Sequence, residues 1–209
     1  PPLIWRLFHA GEATHFCGAP TVLIMLVNDP AASRLERPVR LFAAESKIGM
    51  DEQVVDLFTG EHFQPAYASI NPSCLVPMLE DGDLKLTESS AILKYLADKI
   101  GSPAYPKDLK QRAKVNEVMD WLNTNFYREW AYNLCYPQLF PHLKRRSDEA
   151  QQATLEHGKE NAKRWLKVLN DHWIGPKNNY LCGNQITIAD YFGACLVTLV
   201  EVIGVDFAP

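Results

Sequence analysis

The first clear pattern in the chain is a strictly apolar run that is followed at once by turn residues. Residues 22–27 are all apolar, and Asn-Asp-Pro at 28–30 comes directly behind them. A short apolar run bounded by turn residues predicts a strand buried on both faces. Beyond the turn, apolar residues recur at helical spacing until Gly49, and Ser33 is placed to cap that helix. The pattern therefore predicts a strand, a turn and a helix.

A group of shorter elements follows. The Val-rich stretch at residues 53–58 predicts a second strand, parallel to the first through the intervening helix. Residues 76–79 and 84–87 flank the turn Asp81-Gly82-Asp83, which predicts a β-hairpin. The apolar period over residues 88–100 predicts a helix. The order is β-α-β, then a hairpin, then a helix, which is typical of a small α/β domain.

Composition divides the chain after this domain, which we assign to residues 21–100. The stretch 101–108 holds two prolines and a glycine and is a predicted linker. Residues 109–209 show only helical spacing, which predicts an all-helical second domain. Its helical periods cover residues 109–136, 147–173 and 187–203. The first 20 residues show no sustained period and are interpreted as an atypical leader or tail.

Composition and charge limit the classes of function. The chain of 209 residues is 47% hydrophobic and 22% charged, the balance of a soluble globular protein. No apolar run reaches the ~20 residues that a membrane-spanning helix needs, so we predict no membrane partner. The net charge of -4 offers no broad basic surface for phosphates, so we predict no nucleic-acid partner.

The cysteines and histidines are dispersed along the chain. The five cysteines are odd in number and include no CxxC pair, which indicates a reducing compartment and a cytoplasmic location. Only His9, His15 and Cys17 approach the spacing of metal ligands, and they lie in the atypical leader. We therefore predict no metal site.

Leu75-Val76-Pro77 places a proline at the start of a predicted strand. The proline can simply stand at a strand edge, where the missing N–H costs no ladder hydrogen bond. Alternatively, a cis peptide bond here exposes the backbone N–H and C=O of Val76 to an extended, peptide-like ligand that pairs with them as an added strand. These residues alone leave both interpretations open.

Two further polar groups stand at predicted helix starts. One interpretation of Glu88 and Ser89 is that they only begin a helix. The other is that the free N–H groups and the Ser89 hydroxyl bind a carboxylate of a ligand, while the Glu88 carboxylate binds an ammonium group. The pair thus suits an α-amino acid head group. Ser33, with Arg37 four residues on, can donate a hydrogen bond to an anionic sulfur at the positive end of a helix. No base lies beside it in sequence, so we predict a donor rather than a nucleophile.

Taken together, these residues resemble the glutathione transferase family. The resemblance covers about residues 21–205 and rests on the proline turn at 71–77, the Glu88-Ser89 pair and a capping-box pattern at 187–190. The string ASRLERPVRLF at residues 32–42 resembles the serine-type active site of the theta-like classes. The resemblance implies a thioredoxin-like N-terminal domain and an all-α C-terminal helical domain. It also implies a homodimer.

The resemblance also assigns roles to single residues. Ser33 corresponds to the catalytic hydroxyl that stabilises the glutathione thiolate, with Arg37 in support. The segment Leu75-Val76-Pro77 corresponds to the backbone that pairs with the cysteinyl amide. Glu88 and Ser89 correspond to the grip on the γ-glutamyl group.

Two assignments carry alternatives. His62 corresponds to a residue near the glycyl carboxylate, and its other interpretation is a solvated loop histidine. Asn116 stands where related sequences have an acid that approaches the γ-glutamyl amine, so it can form a hydrogen bond but supplies no charge.

The implied reaction is attack by the thiolate of glutathione, the co-substrate, on a small apolar electrophile. Conjugation, dehalogenation and peroxide reduction all use this thiolate and stay open. Trp121 and Tyr127 are the candidates for the electrophile pocket, in an aromatic-rich helix. Leu122, Phe126 and Trp130 share one helix face in the same region and are expected in the core.

Two other functions fit the same residues. The fold can serve as a non-catalytic glutathione-binding or protein-interaction module, although the full set of site residues argues against a degenerate site. Thiol–disulfide exchange needs a cysteine at the first helix, where Ser33 stands instead, and Cys74 is the thiol nearest the proposed ligand strand. Theta-like relatives continue beyond the last predicted helix, so the second domain is expected to be shortened at its C-terminus, which leaves the pocket more open.

Overall fold

A computed structural model describes residues 46, 48–49, 53 and 55–204. The chain divides into two compact units, one that ends at Ser102 and one that begins at Pro103. The predicted first strand and first helix, which carry Ser33 and Arg37, lie outside the described residues. Each unit buries apolar side chains of its own.

The predicted hairpin is present in the first unit. Strands β1 (Met78–Asp81) and β2 (Leu84–Thr87) pair antiparallel, with Met78 opposite Thr87. Strand β1 begins and ends two residues later than the predicted 76–79, because the pairing extends to Asp81 opposite Leu84. Gly82 has a φ of 62°, in the left-handed region that glycine adopts without a Cβ penalty. A two-residue loop with glycine in its first position suits the twist of two antiparallel strands. These are the two strands of the sheet within the described part of the chain.

Helix α2 (Ser89–Lys99) follows the hairpin and is tied to its turn. The hydroxyl of Tyr95 donates to the carboxylate of Asp81 at 2.7 Å, and Lys99 forms a salt bridge with the same carboxylate. Hydrogen bonds from Lys99 and Tyr95 hold the pKa of Asp81 below its usual value. The far end of the hairpin is thus anchored to the C-terminal half of the helix.

The predicted strand at residues 53–58 is wrong for the residues described there, which form a turn instead. The Asp56 carboxylate accepts the backbone N–H of Phe58 at 2.8 Å, and the N–H of Asp56 donates to the Glu61 carboxylate at 2.7 Å. Such local bonds satisfy the backbone without a partner strand. Two short elements follow, a 3-10 turn at Glu61–Phe63 and helix α1 at Pro65–Ala68.

The second unit is helical in its described part, as the sequence predicts. Its elements in chain order are α3 (Leu109–Trp121), π-helical stretches at Leu122–Phe126 and Arg128–Cys135, α4 (Tyr136–Leu139), a 3-10 turn (Pro141–Leu143), α5 (Asp148–Val168), a π-helical stretch (Leu169–Ile174), α6 (Ile188–Val197) and a 3-10 turn (Thr198–Ile203). Asp108 caps α3 by accepting the N–H of Gln111 at 3.0 Å, and Ser147 caps α5 in the same way.

The core of this unit forms on the apolar stripe expected for it. Leu122, Phe126 and Trp130 are all fully buried, which confirms their predicted place. Helix α5 packs tightly against the second π-helical stretch, because Gly158 lies directly over the backbone of Asn133. A methyl group on Gly158 would lie 2.7 Å from the carbonyl carbon and oxygen of Asn133.

Helix α6 begins at the threonine–aspartate pair of the capping-box pattern. The Asp190 carboxylate accepts the backbone N–H of Thr187 at 2.7 Å, the Thr187 hydroxyl at 2.9 Å and the N–H of Leu181 at 2.8 Å. The last bond joins the preceding loop to the start of the helix. These contacts have the structural role predicted for the pair.

We expect Asp190→Ala to lower the free energy of unfolding by about 1–3 kcal/mol, since it leaves two backbone N–H groups without their acceptor. Urea unfolding followed by circular dichroism measures this loss. The control is Glu160→Ala on the exposed side of α5, which we expect to change stability by less than about 0.5 kcal/mol. Equal losses in the two variants would contradict the capping role.

Candidate glutathione site

The register of the hairpin brings two predicted parts of the site together. Met78 opens β1 and pairs with Thr87, which closes β2. Pro77 and Glu88 flank this pair, so the proline turn and the start of α2 lie at the same end of the hairpin. Residues separated by about ten positions in sequence therefore share one edge of the first unit.

At the proline turn, the Val76–Pro77 peptide bond is cis. Leu75 is 52% exposed and Val76 is half-buried, so the segment lies at the surface of its unit. The Leu75 carbonyl accepts hydrogen bonds from the Tyr67 hydroxyl and from the Asn71 side-chain amide, each at 2.6 Å. Tyr67 and Asn71 are not among the residues that the sequence pattern assigned to the site.

The start of α2 keeps its N–H groups available. Glu88 precedes the helix with φ 68° and ψ 112°, a conformation that non-glycine residues adopt at a cost of order 1–3 kcal/mol and that clusters at ligand-binding positions. Its side chain is exposed, and within the described residues no side chain caps this helix. Ser89 is half-buried in the first turn. The arrangement leaves N–H donors, a hydroxyl and a carboxylate side by side.

His62 lies in the 3-10 turn and is 5% exposed, with its ring tilted against Phe63 at a centroid distance of 3.8 Å. The alternative interpretation of a solvated loop histidine is therefore wrong. The sequence could not predict this burial, because no spacing of apolar residues distinguishes a buried histidine in a loop from an exposed one.

In the second unit, Asn116 is half-buried on α3. The buried Tyr105 donates its hydroxyl proton to the side-chain oxygen of Asn116 at 3.0 Å. The Arg112 guanidinium stacks on the Tyr105 ring, with its central carbon 4.1 Å from the ring centroid. Tyr105 is thereby held in place, and it fixes the orientation of the Asn116 amide.

The two aromatic candidates have different surroundings. Trp121 packs against Phe126, Trp165 and Trp173 at centroid distances of 6.1, 6.0 and 5.6 Å, so its half-buried ring belongs to an aromatic cluster. The hydroxyl of Tyr127 lies 2.5 Å from that of Tyr136.

Burial is the main cause that raises the pKa of Tyr136 and keeps its hydroxyl protonated. The half-buried Tyr127 therefore contacts a neutral phenol rather than a phenolate.

Three further findings bear on the class of protein. Within residues 55–204 and the few described before them, no group of three or more His, Cys, Asp or Glu side chains could hold a metal ion. The four cysteines of the described part, Cys74, Cys135, Cys182 and Cys195, are free thiols. No helix in that part combines the length and the apolar character needed to cross a bilayer.

Comparison with known families matches both halves of the chain. The N-terminal domain of glutathione S-transferases matches residues 26–98, and the C-terminal domain of the same family matches residues 133–208. Glutathione S-transferase theta-1 of Homo sapiens is 36% identical over 156 residues, which is 74% of this chain and 64% of the relative. Glutathione S-transferase T1 of Arabidopsis thaliana is 34% identical over 184 residues, 82% of this chain and 72% of the relative.

Solved structures give the same result. Human glutathione S-transferase T1-1 in its apo form superposes with a TM-score of 0.67 at 32% identity, covering 79% of this chain and 69% of that one. The human theta-class enzyme in complex with the glutathione conjugate of 1-menaphthyl sulfate has a TM-score of 0.70 at 30% identity, covering 79% of this chain and 67% of that one.

The chain belongs to the glutathione S-transferase family and is similar to its theta class. It has the fold that the resemblance implied, a thioredoxin-like N-terminal domain followed by a helical C-terminal domain. The chain spans about two thirds of the length of the theta-class relatives that it matches, 64% for human theta-1.

Proposed function

We propose that this protein is a glutathione transferase that stabilises the thiolate of glutathione for attack on a small hydrophobic electrophile. The observation that carries the proposal is the hairpin register, which sets Val76 and the Glu88-Ser89 pair at one edge. A peptide-like main chain and an α-amino acid head group are joined in one molecule in glutathione. The theta-class relatives with glutathione or its conjugate in their solved complexes support the same ligand.

In this proposal, each part of glutathione binds a different group of the protein. The N–H groups at the start of α2 and the Ser89 hydroxyl bind the γ-glutamyl carboxylate, and Glu88 binds the ammonium. Val76 pairs with the cysteinyl main chain as an added strand, within the segment Leu75-Val76-Pro77. His62 approaches the glycyl carboxylate.

Ser33 carries the catalytic step. Its hydroxyl donates to the sulfur, with Arg37 in support, and the thiol proton leaves to solvent. The sulfur then forms a bond to an electrophilic carbon while the leaving group departs with its electron pair. Lowering a thiol pKa of about 8.5 by two units needs about 2.7 kcal/mol of preference for the anion, which one charged hydrogen bond and a helix dipole can supply.

Asn116 has a defined part in this scheme because its orientation is fixed. Tyr105 occupies its side-chain oxygen at 3.0 Å, so the amide nitrogen is the group that Asn116 presents to a ligand. A nitrogen donor suits the γ-glutamyl carboxylate better than the ammonium. We assign Asn116 to hydrogen bonding of the γ-glutamyl group through this nitrogen, without a charge of its own.

The remaining properties complete the proposal. Trp121 and Tyr127 contact the electrophile, and the protein acts as a cytoplasmic homodimer in detoxification. Its glutathione-binding domain covers residues 21–100, its linker 101–108 and its helical domain 109–209. The free state of the four described cysteines is consistent with a reducing compartment.

An assay with glutathione and a panel of test electrophiles decides the proposal. The panel includes an alkyl halide, an aryl chloride and a hydroperoxide, because all three reactions use the same thiolate and differ in the shape of the pocket. We expect turnover of at least one of them and binding of glutathione by calorimetry. Binding without turnover on any electrophile would favour a non-catalytic module, and no binding would reject the assignment.

A further inference from the structure

We propose that Tyr67 and Asn71 are positioning residues that aim the backbone N–H of Val76 at the cysteinyl part of glutathione. The inference rests on the proposed function and names two residues that act on the ligand through a peptide group rather than by touching it. Their common target is the carbonyl of Leu75. We call this arrangement the Leu75 carbonyl clamp, made of Tyr67, Asn71 and the Leu75 carbonyl.

The two hydrogen bonds of the clamp are short, and both donors lie on the buried side of the segment. Tyr67 and Asn71 are 8% and 2% exposed, whereas Leu75 is 52% exposed. The tyrosine hydroxyl and the amide nitrogen each lie 2.6 Å from the same oxygen, which has two lone pairs and can accept both hydrogen bonds. Two interior side chains therefore use their donors on one peptide group at the surface.

The geometry of the peptide carries the effect to Val76. The Leu75–Val76 peptide bond is trans. In a planar trans peptide the C=O of one residue and the N–H of the next point in opposite directions. With the Leu75 carbonyl held toward the interior, the Val76 N–H is directed outward, where an added strand can accept it. Two donors on the carbonyl also polarise the amide and make its N–H a stronger donor.

Asn71 is itself fixed for this task. Its side-chain oxygen accepts the N–H of Ser73 at 3.1 Å, and its backbone carbonyl accepts the N–H of Cys74 at 2.9 Å. With the oxygen occupied, the amide nitrogen is left to donate to Leu75.

Tyr67 is suited to donate as well. Burial raises its pKa, so the hydroxyl stays protonated over the physiological range. Both side chains therefore carry the protons that they donate to the Leu75 carbonyl.

Tyr67→Phe and Asn71→Asp test the clamp, because each keeps the volume of the side chain and removes its donor. We expect the KM and the calorimetric Kd for glutathione to rise about tenfold in each variant, with kcat at saturating glutathione within about twofold of the unaltered chain. We also expect the amide proton of Val76 to shift toward weaker hydrogen bonding in the glutathione complex. A loss of packing alone would not produce this split between KM and kcat.

Tyr95→Phe is the matched control. Tyr95 donates at 2.7 Å to Asp81 at the other end of the hairpin, so its loss removes one tyrosine hydrogen bond from the same unit without touching the clamp. We expect its KM for glutathione to stay within about twofold of the unaltered chain.

Three results would overturn the clamp. The first is an unchanged KM for glutathione in Tyr67→Phe and Asn71→Asp. The second is an equal rise of this KM in Tyr95→Phe. The third is loss of the folded state in Tyr67→Phe, which would assign the hydroxyl to folding. Failure of the unaltered chain to bind glutathione would instead reject the proposed function, and the clamp with it.

Discussion

Ser33→Ala is expected to lower kcat by roughly 10- to 100-fold and to change the KM for glutathione by less than about threefold. In the proposed mechanism the hydroxyl donates to a sulfur whose charge exists only after ionisation, whereas other residues hold the rest of glutathione. Steady-state kinetics with an aryl chloride measure the effect. A titration of the bound thiol by its absorbance should show a higher pKa in the variant.

Two companion variants sharpen this prediction. Ser33→Thr keeps a hydroxyl and should retain most of the activity. Ser69→Ala removes an exposed hydroxyl that donates to the carbonyl of Ala66, outside the site, and should leave kcat unchanged. Unchanged turnover in purified, folded Ser33→Ala would remove Ser33 from the mechanism.

Gly158→Ala should lower the free energy of unfolding by about 2 kcal/mol, the second large effect that we expect. Helix propensity alone would give the opposite sign, because alanine is favoured over glycine inside a helix by about 1 kcal/mol. The new methyl group would lie 2.7 Å from backbone atoms of Asn133, which cannot move aside as a flexible side chain does. The contact between α5 and the second π-helical stretch would have to open.

Thermal and urea unfolding of Gly158→Ala measure this cost, with Lys159→Ala as the neighbouring exposed control. Stabilisation of the variant would mean that the two helices do not approach as closely as the distance indicates. A loss in Gly158→Val that exceeds the loss in Gly158→Ala by clearly more than the difference in helix propensity, about 0.7 kcal/mol, would identify steric contact as the cause.

The sequence predicts the regular elements of the described chain closely. The helix expected at residues 88–100 begins at Ser89 and ends at Lys99, and strand β2 has its expected bounds at Leu84–Thr87. These elements have an apolar period and clear turn residues at their ends, so local chemistry and tertiary packing favour the same structure. Residues 53–58 lack that agreement, because Asp56 and Glu61 supply hydrogen bonds that compete with a strand.

The π-helical stretches were not predicted. Spacing of four residues places Leu122, Phe126 and Trp130 on one face in a helix with 3.6 residues per turn, and their burial agrees. The widening to i→i+5 hydrogen bonds at Leu122–Phe126 has no signature in that spacing.

Some residues of the candidate site could be predicted from the sequence and others could not. Glu88 and Ser89 could be chosen from sequence because hydroxyls and acids at a helix start either cap the helix or hold a charged group of a ligand. Tyr67 and Asn71 could not, because their partner is a backbone carbonyl and every residue has one. The only sequence signal is the Asn71-Pro72 dipeptide, which marks a turn without indicating where the amide points.

The positions of the tryptophans determine what intrinsic fluorescence can report about this protein. Of the five tryptophans, Trp121, Trp130, Trp165 and Trp173 all lie in the second unit, while Trp5 falls outside the described residues. Trp121, Trp165 and Trp173 have their rings within about 6 Å of a neighbour. Excitation near 295 nm, where tyrosine does not absorb, will therefore chiefly follow the helical unit. Events around the Leu75 carbonyl clamp need a different optical label.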